Sequence, residues 1–302
     1  MEPNTVARVS ESISVPSQSV ALKAAERKLG AVLVHAGRLR SQDVEHILQL
    51  QRQKGLRFGD AGKEVGLLTQ ADIDFALARQ FDYPYLQRGE TNVSEEVVAA
   101  YDPFSSQVEA LRAVRAQLML RWLDREPQRK ALAILSAARK EGRSFIAANL
   151  AVVFSQLGAR TLLIDADLRN ARQHQLFGLD NRAGLSAVLS GRAAFSAAVE
   201  RVASLPNLSV LPAGALPPSP QDLLARPVFA QLLHQLAAHV DLILLDSPPV
   251  GQTADAQTIA VRAGTALIVV RKNSSRMWRV QGISDNMVQA KATIVGAVLN
   301  DF

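Results

Sequence analysis

An α/β fold with a mostly parallel sheet, covered by helices on both faces, is what this sequence predicts for residues 129–302, behind a small all-helical domain. Three observations lead there. After residue 128, six apolar runs alternate with segments of helical length. Those runs are apolar throughout and do not alternate with polar residues, the mark of strands buried on both faces. Before residue 90, a 24-residue pattern with a central glycine occurs twice, as in a stacked helical repeat.

Taken in order, residues 1–22 are rich in Ser, Pro, Val and Glu without a period and predict a disordered tail. Residues 23–90 form the helical tandem-repeat domain. Its copies read "KLGAVLVHAGRLRSQDVEHILQLQ" over 28–51 and "RFGDAGKEVGLLTQADIDFALARQ" over 57–80, five residues apart. Each opens basic–apolar–Gly and has Gly at its tenth position (Gly37, Gly66). Leu follows two places on (Leu39, Leu68), and Gln closes the copy (Gln51, Gln80). The expected unit is a short helix, a glycine turn and a second helix. Residues 91–128 predict a linker with helices. The strands expected beyond it are "ALAIL" (131–135), "TLLID" (161–165), "LSVLP" (208–212), "DLILLD" (241–246), "ALIVVR" (266–271) and "TIVGAVL" (293–299). Amphipathic helices such as 143–157 and 274–290 lie between them.

Composition narrows the function classes. The 302-residue chain has no cysteine, which removes disulfides, thiol catalysis and thiolate metal sites. No run approaches the roughly 20 apolar residues of a membrane helix. No N-terminal stretch has the layout of a signal peptide, so a cytoplasmic protein is expected. A formal net charge of +6 favours phosphate-bearing ligands, nucleic acid or an acidic membrane face without choosing among them.

Ligands of parallel sheets bind beyond the C-terminal ends of the strands, and the polar residues of interest fall there. Between "ALAIL" and a helical run lies "SAARKEGRSF", residues 136–145. Strand, turn and helix are the setting of a phosphate-binding loop, G-x-x-x-x-G-K-[ST], here with Ala137 for the first Gly and Arg143 for the Lys. Gly142 lets the backbone approach an anion, at which loop N–H groups and the helix N-terminus point. Ser144 stands where a hydroxyl usually meets Mg²⁺. Arg143 keeps the positive charge on a larger, planar fork. Lys140 stands where Gly is usual, so a left-handed backbone there would cost about 1–2 kcal/mol. "LLIDADLR" puts Asp165 and Asp167 at the end of one strand, and "DLILLDSPP" ends another with Asp246. Carboxylates so placed hold Mg²⁺ beside a phosphate loop. Each could instead cap the following helix, which accounts for one of them more easily than for all three. Taken alone, the loop could be a chance turn.

Together these motifs resemble the ATPase domain of bacterial tyrosine kinases (BY-kinases) that work with polysaccharide chain-length determinants. The match runs through a degenerate Walker A at 137–144, Walker A′ at 162–169, "LPAGALPPSPQDLL" at 211–224, Walker B at 241–246, "TADA" at 253–256 and "GAVLN" at 296–300. "EGRS" in place of "EGKS" is similar to the EpsG-like branch from exopolysaccharide clusters, whereas Lys140 departs from it. The resemblance implies a P-loop NTPase domain with ATP and Mg²⁺ as cofactors. Lys140, Gly142, Arg143, Ser144 and Phe145 would meet the phosphates and Asn300 the adenine. Ser144 and Asp246 would hold the metal, with catalytic roles for Arg143, Asp165, Asp167 and Asp246. It also implies an exopolysaccharide-assembly protein that passes the γ-phosphoryl group to tyrosine or water. Such a protein would be held at the inner membrane by a membrane-embedded chain-length determinant, with no nucleic-acid partner. "EALRAVR" carries E-x₂-R-x₂-R at Glu109, Arg112 and Arg115, the pattern through which BY-kinases resemble ring-forming oligomers, so a homo-oligomer is expected. One departure concerns chemistry. The tyrosines are Tyr83, Tyr85 and Tyr101 and the sequence stops at "LNDF", so a C-terminal tyrosine cluster is not expected. The alternative is a non-catalytic regulator that binds ATP and cyclic di-GMP. ATPases of the MinD and ParA type share the sheet but carry a signature Lys where Ala138 stands.

The repeat resembles the N-terminal domain of type II secretion and pilus-assembly ATPases, some of which bind cyclic di-GMP through a tandem 24-residue motif. That resemblance implicates Lys28, Leu29, Gly30, Gln51, Arg57, Phe58, Gly59 and Gln80 in cyclic di-GMP binding. Packing alone would account for the same glycines and apolar faces without a ligand.

Overall fold

The computed structural model describes residues 28–81, 83–203, 205–251 and 253–301, in two compact units divided between Tyr83 and Pro84. The tail expected over 1–22 lies outside the described residues.

The first unit is helical: α1 Leu29–His35, α2 Ser41–Lys54, α3 Phe58–Glu64 and α4 Gln70–Gln80. Its two copies fold alike. The short helices α1 and α3 each end in a turn whose glycine, Gly37 or Gly66, has φ of +70° or +71°, a backbone that a side chain disfavours. Thr69 caps α4: its hydroxyl accepts the Asp72 N–H, and the Asp72 carboxylate accepts the Thr69 N–H. Leu33, Leu39, Ile47, Leu68, Ile73 and Phe75 are buried in this unit.

The second unit is a seven-stranded sheet in the order β3-β4-β2-β5-β1-β6-β7. Its strands are β1 Ala131–Ser136, β2 Thr161–Asp165, β3 Glu200–Arg201, β4 Leu208–Leu211, β5 Leu242–Asp246, β6 Thr265–Arg271 and β7 Thr293–Asn300. All pairings are parallel except β3 with β4. The two-residue β3 is too short to leave an apolar pattern and has no counterpart in the sequence reading. The helices are α5 Val98–Tyr101, α6 Ser106–Leu118, α7 Arg143–Gln156, α8 Gln173–Phe177, α9 Leu185–Leu189, α10 Phe195–Ala198, α11 Pro220–Ala225, α12 Pro227–Ala237, α13 Asp255–Ala263 and α14 Met277–Gln289. A π-helical turn, Met119–Leu123, continues α6. One face of the sheet buries Leu132, Ile134, Leu163 and Leu244 with α7; the other buries Leu135, Ile164, Ile243 and Leu245 with Phe229, Ile259 and Ile283.

Helix α7, expected as amphipathic, is instead apolar nearly all round, and Ile146 through Gln156 are all buried. A helix of that kind needs cover on both sides, and the stretch read as a linker supplies it. Val97, Ala99, Ala100, Tyr101, Val108, Leu111, Leu118 and Trp122 are buried in the same core. Polar side chains of α7 tie the layer down. Asn149 Oδ1 accepts the Ala99 N–H at 2.9 Å, and Gln156 Nε2 donates to the carbonyls of Pro84 and Ala99, both at 2.9 Å. The stretch 91–128 is thus an outer layer of the second unit. Its patterning is weak because short helices that pack on another helix expose half their turns. No helix among the described residues is long and apolar enough to cross a membrane.

Candidate functional site

Parallel pairing brings the ends of three strands to one edge. Asp165, the last residue of β2, is in register with Asp246, the last residue of β5, and Ile134 of β1 pairs with Asp246 from the other side. The chain leaves β1 through Ser136, turns over 137–142 and enters α7. Gly142, at φ +92°, is the N-cap of α7. Lys140 adopts φ +64°, the left-handed backbone that its side chain resists. Four hydrogen bonds hold the turn. Glu141 is buried and accepts the Ala138 N–H at 2.8 Å and the Ser275 hydroxyl. Arg271 Nη1 donates to the Lys140 carbonyl at 2.9 Å, and Asn300 Nδ2 to the Glu141 carbonyl at 3.0 Å. Asn300 therefore spends one amide hydrogen on the loop.

The carboxylates are buried. Asp165 Oδ2 accepts the N–H groups of Arg172 and Gln173 at 2.8 and 2.9 Å, capping α8, while its Oδ1 has no partner. Burial, and then the charge of Asp246, push Asp165 well above the ordinary carboxylate range. Asp167 Oδ1 accepts the N–H groups of Asn170 and Arg169. Asp246 Oδ2 accepts Gln173 Nε2 at 2.8 Å, and the Ser144 side chain favours the charged form of the carboxylate. Burial raises Asp246, and Arg143 opposes the shift. Arg143 turns its guanidinium inward: Nη1 donates to Ser136 Oγ at 2.7 Å, Nη2 lies 3.4 Å from Asp167 Oδ2, and Nε lies 3.5 Å from Asp246 Oδ1.

Ser144, Asp246 and the open helix N-terminus fit a magnesium–phosphate group. The Ser144 side chain favours the charged form of the buried Asp246 carboxylate, whose Oδ1 lacks a hydrogen-bond donor. Among the described residues no three His, Cys, Asp or Glu side chains cluster as a metal cage. Magnesium beside a phosphate loop needs none, because water and phosphate fill most of its shell.

Two residues escaped the sequence reading. Gln173 is fully buried and bridges Asp246 to the Ser144 carbonyl, 3.1 Å away. Its only signal was a position shortly after Walker A′. Asp255, inside "TADA", is buried and receives Arg169 Nε at 2.7 Å; that hydrogen bond raises the arginine further. The E-x₂-R-x₂-R residues divide. Glu109 and Arg112 pair at 3.0 Å along α6, while Arg115 Nη1 donates to the Val153 carbonyl of α7 at 2.6 Å.

In the first unit a cleft of about 1360 Å³ is lined by Lys28, Leu29, Gly30, Gln51, Phe58 and Gln80 among others. Arg57 and Gly59 are not part of its lining: Arg57 precedes α3, and Gly59 packs on Ile73. Phe75 and Arg79 line the cleft and were not singled out by the repeat.

A family model described as "Cellulose biosynthesis protein BcsQ" matches residues 114–289, more than half of the chain. The tyrosine-protein kinase YwqD of Bacillus subtilis is 33% identical over 210 residues, which span 70% of this chain and 87% of that protein. The kinase domain of the Escherichia coli tyrosine kinase ETK superposes with a TM-score of 0.66 at 32% identity, covering 73% of this chain and 85% of that domain. MinD from Pyrococcus horikoshii, complexed with Mg-ADP, follows at a TM-score of 0.50 and 25% identity, covering 57% of this chain and 70% of that one. With its phosphate loop, paired strand-end aspartates and these likenesses, the chain belongs to the bacterial tyrosine-kinase family of P-loop proteins.

Proposed function

We propose that the second unit binds Mg·ATP at residues 137–145 and passes the γ-phosphoryl group to a tyrosine hydroxyl or to water. One observation carries this reading: buried Asp165 and Asp246 end neighbouring strands in register, with Asp246 Oδ1 lying 3.5 Å from Arg143 Nε at the N-terminus of α7. Ser144 and Asp246 would hold the metal, which when bound neutralises charge on the phosphate oxygens. Gly142, Ser144 and Phe145 would offer main-chain N–H groups to the phosphates, and Lys140 its exposed charge. Asp165 and Asp167 would orient the attacking hydroxyl, and Asn300 would face the adenine with what its loop contact leaves free. The Mg-ADP held by the MinD relative supports the choice of cofactors.

The setting we infer is exopolysaccharide assembly in the cytoplasm, beneath a membrane-embedded chain-length determinant. The cellulose-biosynthesis family match supports it. Exposed Glu109, paired with half-buried Arg112 on α6, supports a ring contact. Calorimetric titration with Mg·ATP and Mg·ADP tests the core of the reading. It is paired with phosphate release and phosphotyrosine in wild type, Asp165→Asn and Asp246→Asn. Absence of nucleotide binding sinks it; binding without turnover selects the non-catalytic regulator.

A second reading rests on the first unit. The cleft beside both repeat copies supports cyclic di-GMP as a gate, with Gln51 and Gln80 closing it and Phe58 beneath the ligand. Titration of the full chain with cyclic di-GMP, and of Gln51→Ala and Gln80→Ala variants, tests it. No binding by wild type ends it.

A further inference from the structure

The cluster at the strand ends holds Asp165, Asp167 and Asp246, all buried. Two of the nearby arginines are committed elsewhere: Arg169 to Asp255, and Arg172 to Glu96 at 2.6 Å. Arg143 alone of the three turns inward. Its contacts with Asp167 and Asp246, at 3.4 and 3.5 Å, are longer than the roughly 2.7–2.9 Å of a well-formed charge-assisted hydrogen bond. Its one short contact is to the neutral Ser136 hydroxyl. Asp165 Oδ1 and Asp246 Oδ1 are meanwhile fully buried without a donor. The guanidinium therefore screens the carboxylates with one long bond to Asp167 and leaves Asp165 Oδ1 and Asp246 Oδ1 unsatisfied. A compact divalent ion takes carboxylate oxygens at about 2.0–2.1 Å and would use the oxygen atoms the fork leaves bare.

We propose that Arg143 is an exchangeable internal cation. It occupies the space between Asp167 and Asp246 in the nucleotide-free protein, and a divalent ion enters only together with a phosphate chain that draws the guanidinium outward. This deepens the nucleotide-site reading and rests on it. Two anions compete for one arginine: buried carboxylates, to which its geometry is poor, and phosphate oxygens, which suit a planar fork in pairs. The metal takes over the carboxylates as the guanidinium leaves. Metal and nucleotide then bind in strong synergy, and by linkage each raises the affinity of the other equally.

The test needs no turnover. Mn²⁺ binding to the nucleotide-free full chain is measured by electron paramagnetic resonance, and thermal unfolding is followed with and without millimolar Mg²⁺, for wild type, Arg143→Gln and Arg143→Lys. Wild type should bind Mn²⁺ about tenfold or more weakly without ADP than with it, and its unfolding should ignore Mg²⁺. Arg143→Gln, with the cluster uncovered, should bind Mn²⁺ without nucleotide about tenfold more tightly than wild type and should be stabilised by Mg²⁺. Arg143→Lys, shorter and without the fork, should fall between them. The proposal is overturned if nucleotide-free wild type binds Mn²⁺ as tightly as Arg143→Gln, or if both glutamine and lysine variants behave like wild type. If the glutamine variant fails to fold, the wild-type and lysine comparison decides on the same terms. A chain that binds no nucleotide would defeat the proposed function by calorimetry, whereas the nucleotide-free Mn²⁺ comparison reports on Arg143 alone.

Discussion

Replacing Gln173 by Ala should loosen the site without touching any residue of the recognised motifs. The side chain is fully buried on α8 and its Nε2 makes two bonds, to Asp246 Oδ2 at 2.8 Å and to the Ser144 carbonyl at 3.1 Å. A bond to a charged group contributes roughly 1.5–3 kcal/mol and a neutral one roughly 0.5–1.5 kcal/mol. Asp246 Oδ1 already lacks a donor, so truncation would leave the whole carboxylate with Ser144 and a distant guanidinium. The expected loss is about 2–4 kcal/mol, or roughly 5–15 °C in the unfolding midpoint of a domain this size. Thermal unfolding at neutral pH measures it, and calorimetry should show weaker Mg·ADP binding in parallel. Gln173→Glu separates charge from packing. It fills the same volume but sets another carboxylate against Asp246, so its deficit should shrink as the pH is lowered. An Ala variant within about 0.5 kcal/mol of wild type, with unchanged nucleotide affinity, would refute the claim that Gln173 positions Asp246.

Asp165→Asn should stabilise the nucleotide-free protein at neutral pH. The raised folded value of Asp165, caused first by burial and then by Asp246, means the folded state holds the proton more tightly than the unfolded chain. Stability therefore falls as pH rises from the ordinary carboxylate value through the raised one; Asn escapes that loss and keeps an oxygen for the Arg172 and Gln173 N–H groups. Melting curves across that window should converge at their acid end and separate above it. Lys140→Gly should gain roughly 0.5–1 kcal/mol in denaturant unfolding, the left-handed strain relieved less the entropy of glycine, with the Arg271 contact kept because it is to a backbone carbonyl. Gly178→Ala should lose about 2–5 kcal/mol by the same measurement. Its φ is +63°, and a Cβ would sit 2.3 Å from the Asn92 carbonyl oxygen, adding a backbone clash to the strain.

What could be read in advance follows from how far apart in sequence the relevant contacts lie. The strands "ALAIL", "TLLID" and "DLILLD" were legible because a parallel strand buried on both faces needs an unbroken apolar run. The aspartates that end the latter two were legible because a charge can stand only where such a run ends. The repeat was legible because each copy solves the same turn with Gly37 or Gly66. Neither the cover of α7 nor the hold on Asp246 has a local signature. Asn149 meets Ala99 across 50 residues, and Gln173 meets Asp246 across 73. Asn149 is a polar break in an apolar helix and Gln173 one polar residue among several at 169–175, so neither stands out in sequence, whereas in structure each is buried and partnered.

Arg143 is the instructive case. The motif position was visible, and so was the charge; its direction was not. A side chain at that position can face the phosphate or the carboxylates, and sequence spacing is identical for both. What decides is the balance at the strand ends: buried carboxylates with unmet oxygens, and neighbouring arginines Arg169 and Arg172 drawn to Asp255 and Glu96. Moving either neighbour alters that balance. Asp255→Asn, which weakens the hold on Arg169, should release a second guanidinium near Asp167, whose charge already acts on Arg169. The relief of Arg143 should then appear as nucleotide affinity that depends less on added Mg²⁺. Calorimetry with and without chelator would read it, and an unchanged metal dependence would show that Arg169 takes no part in the charge balance.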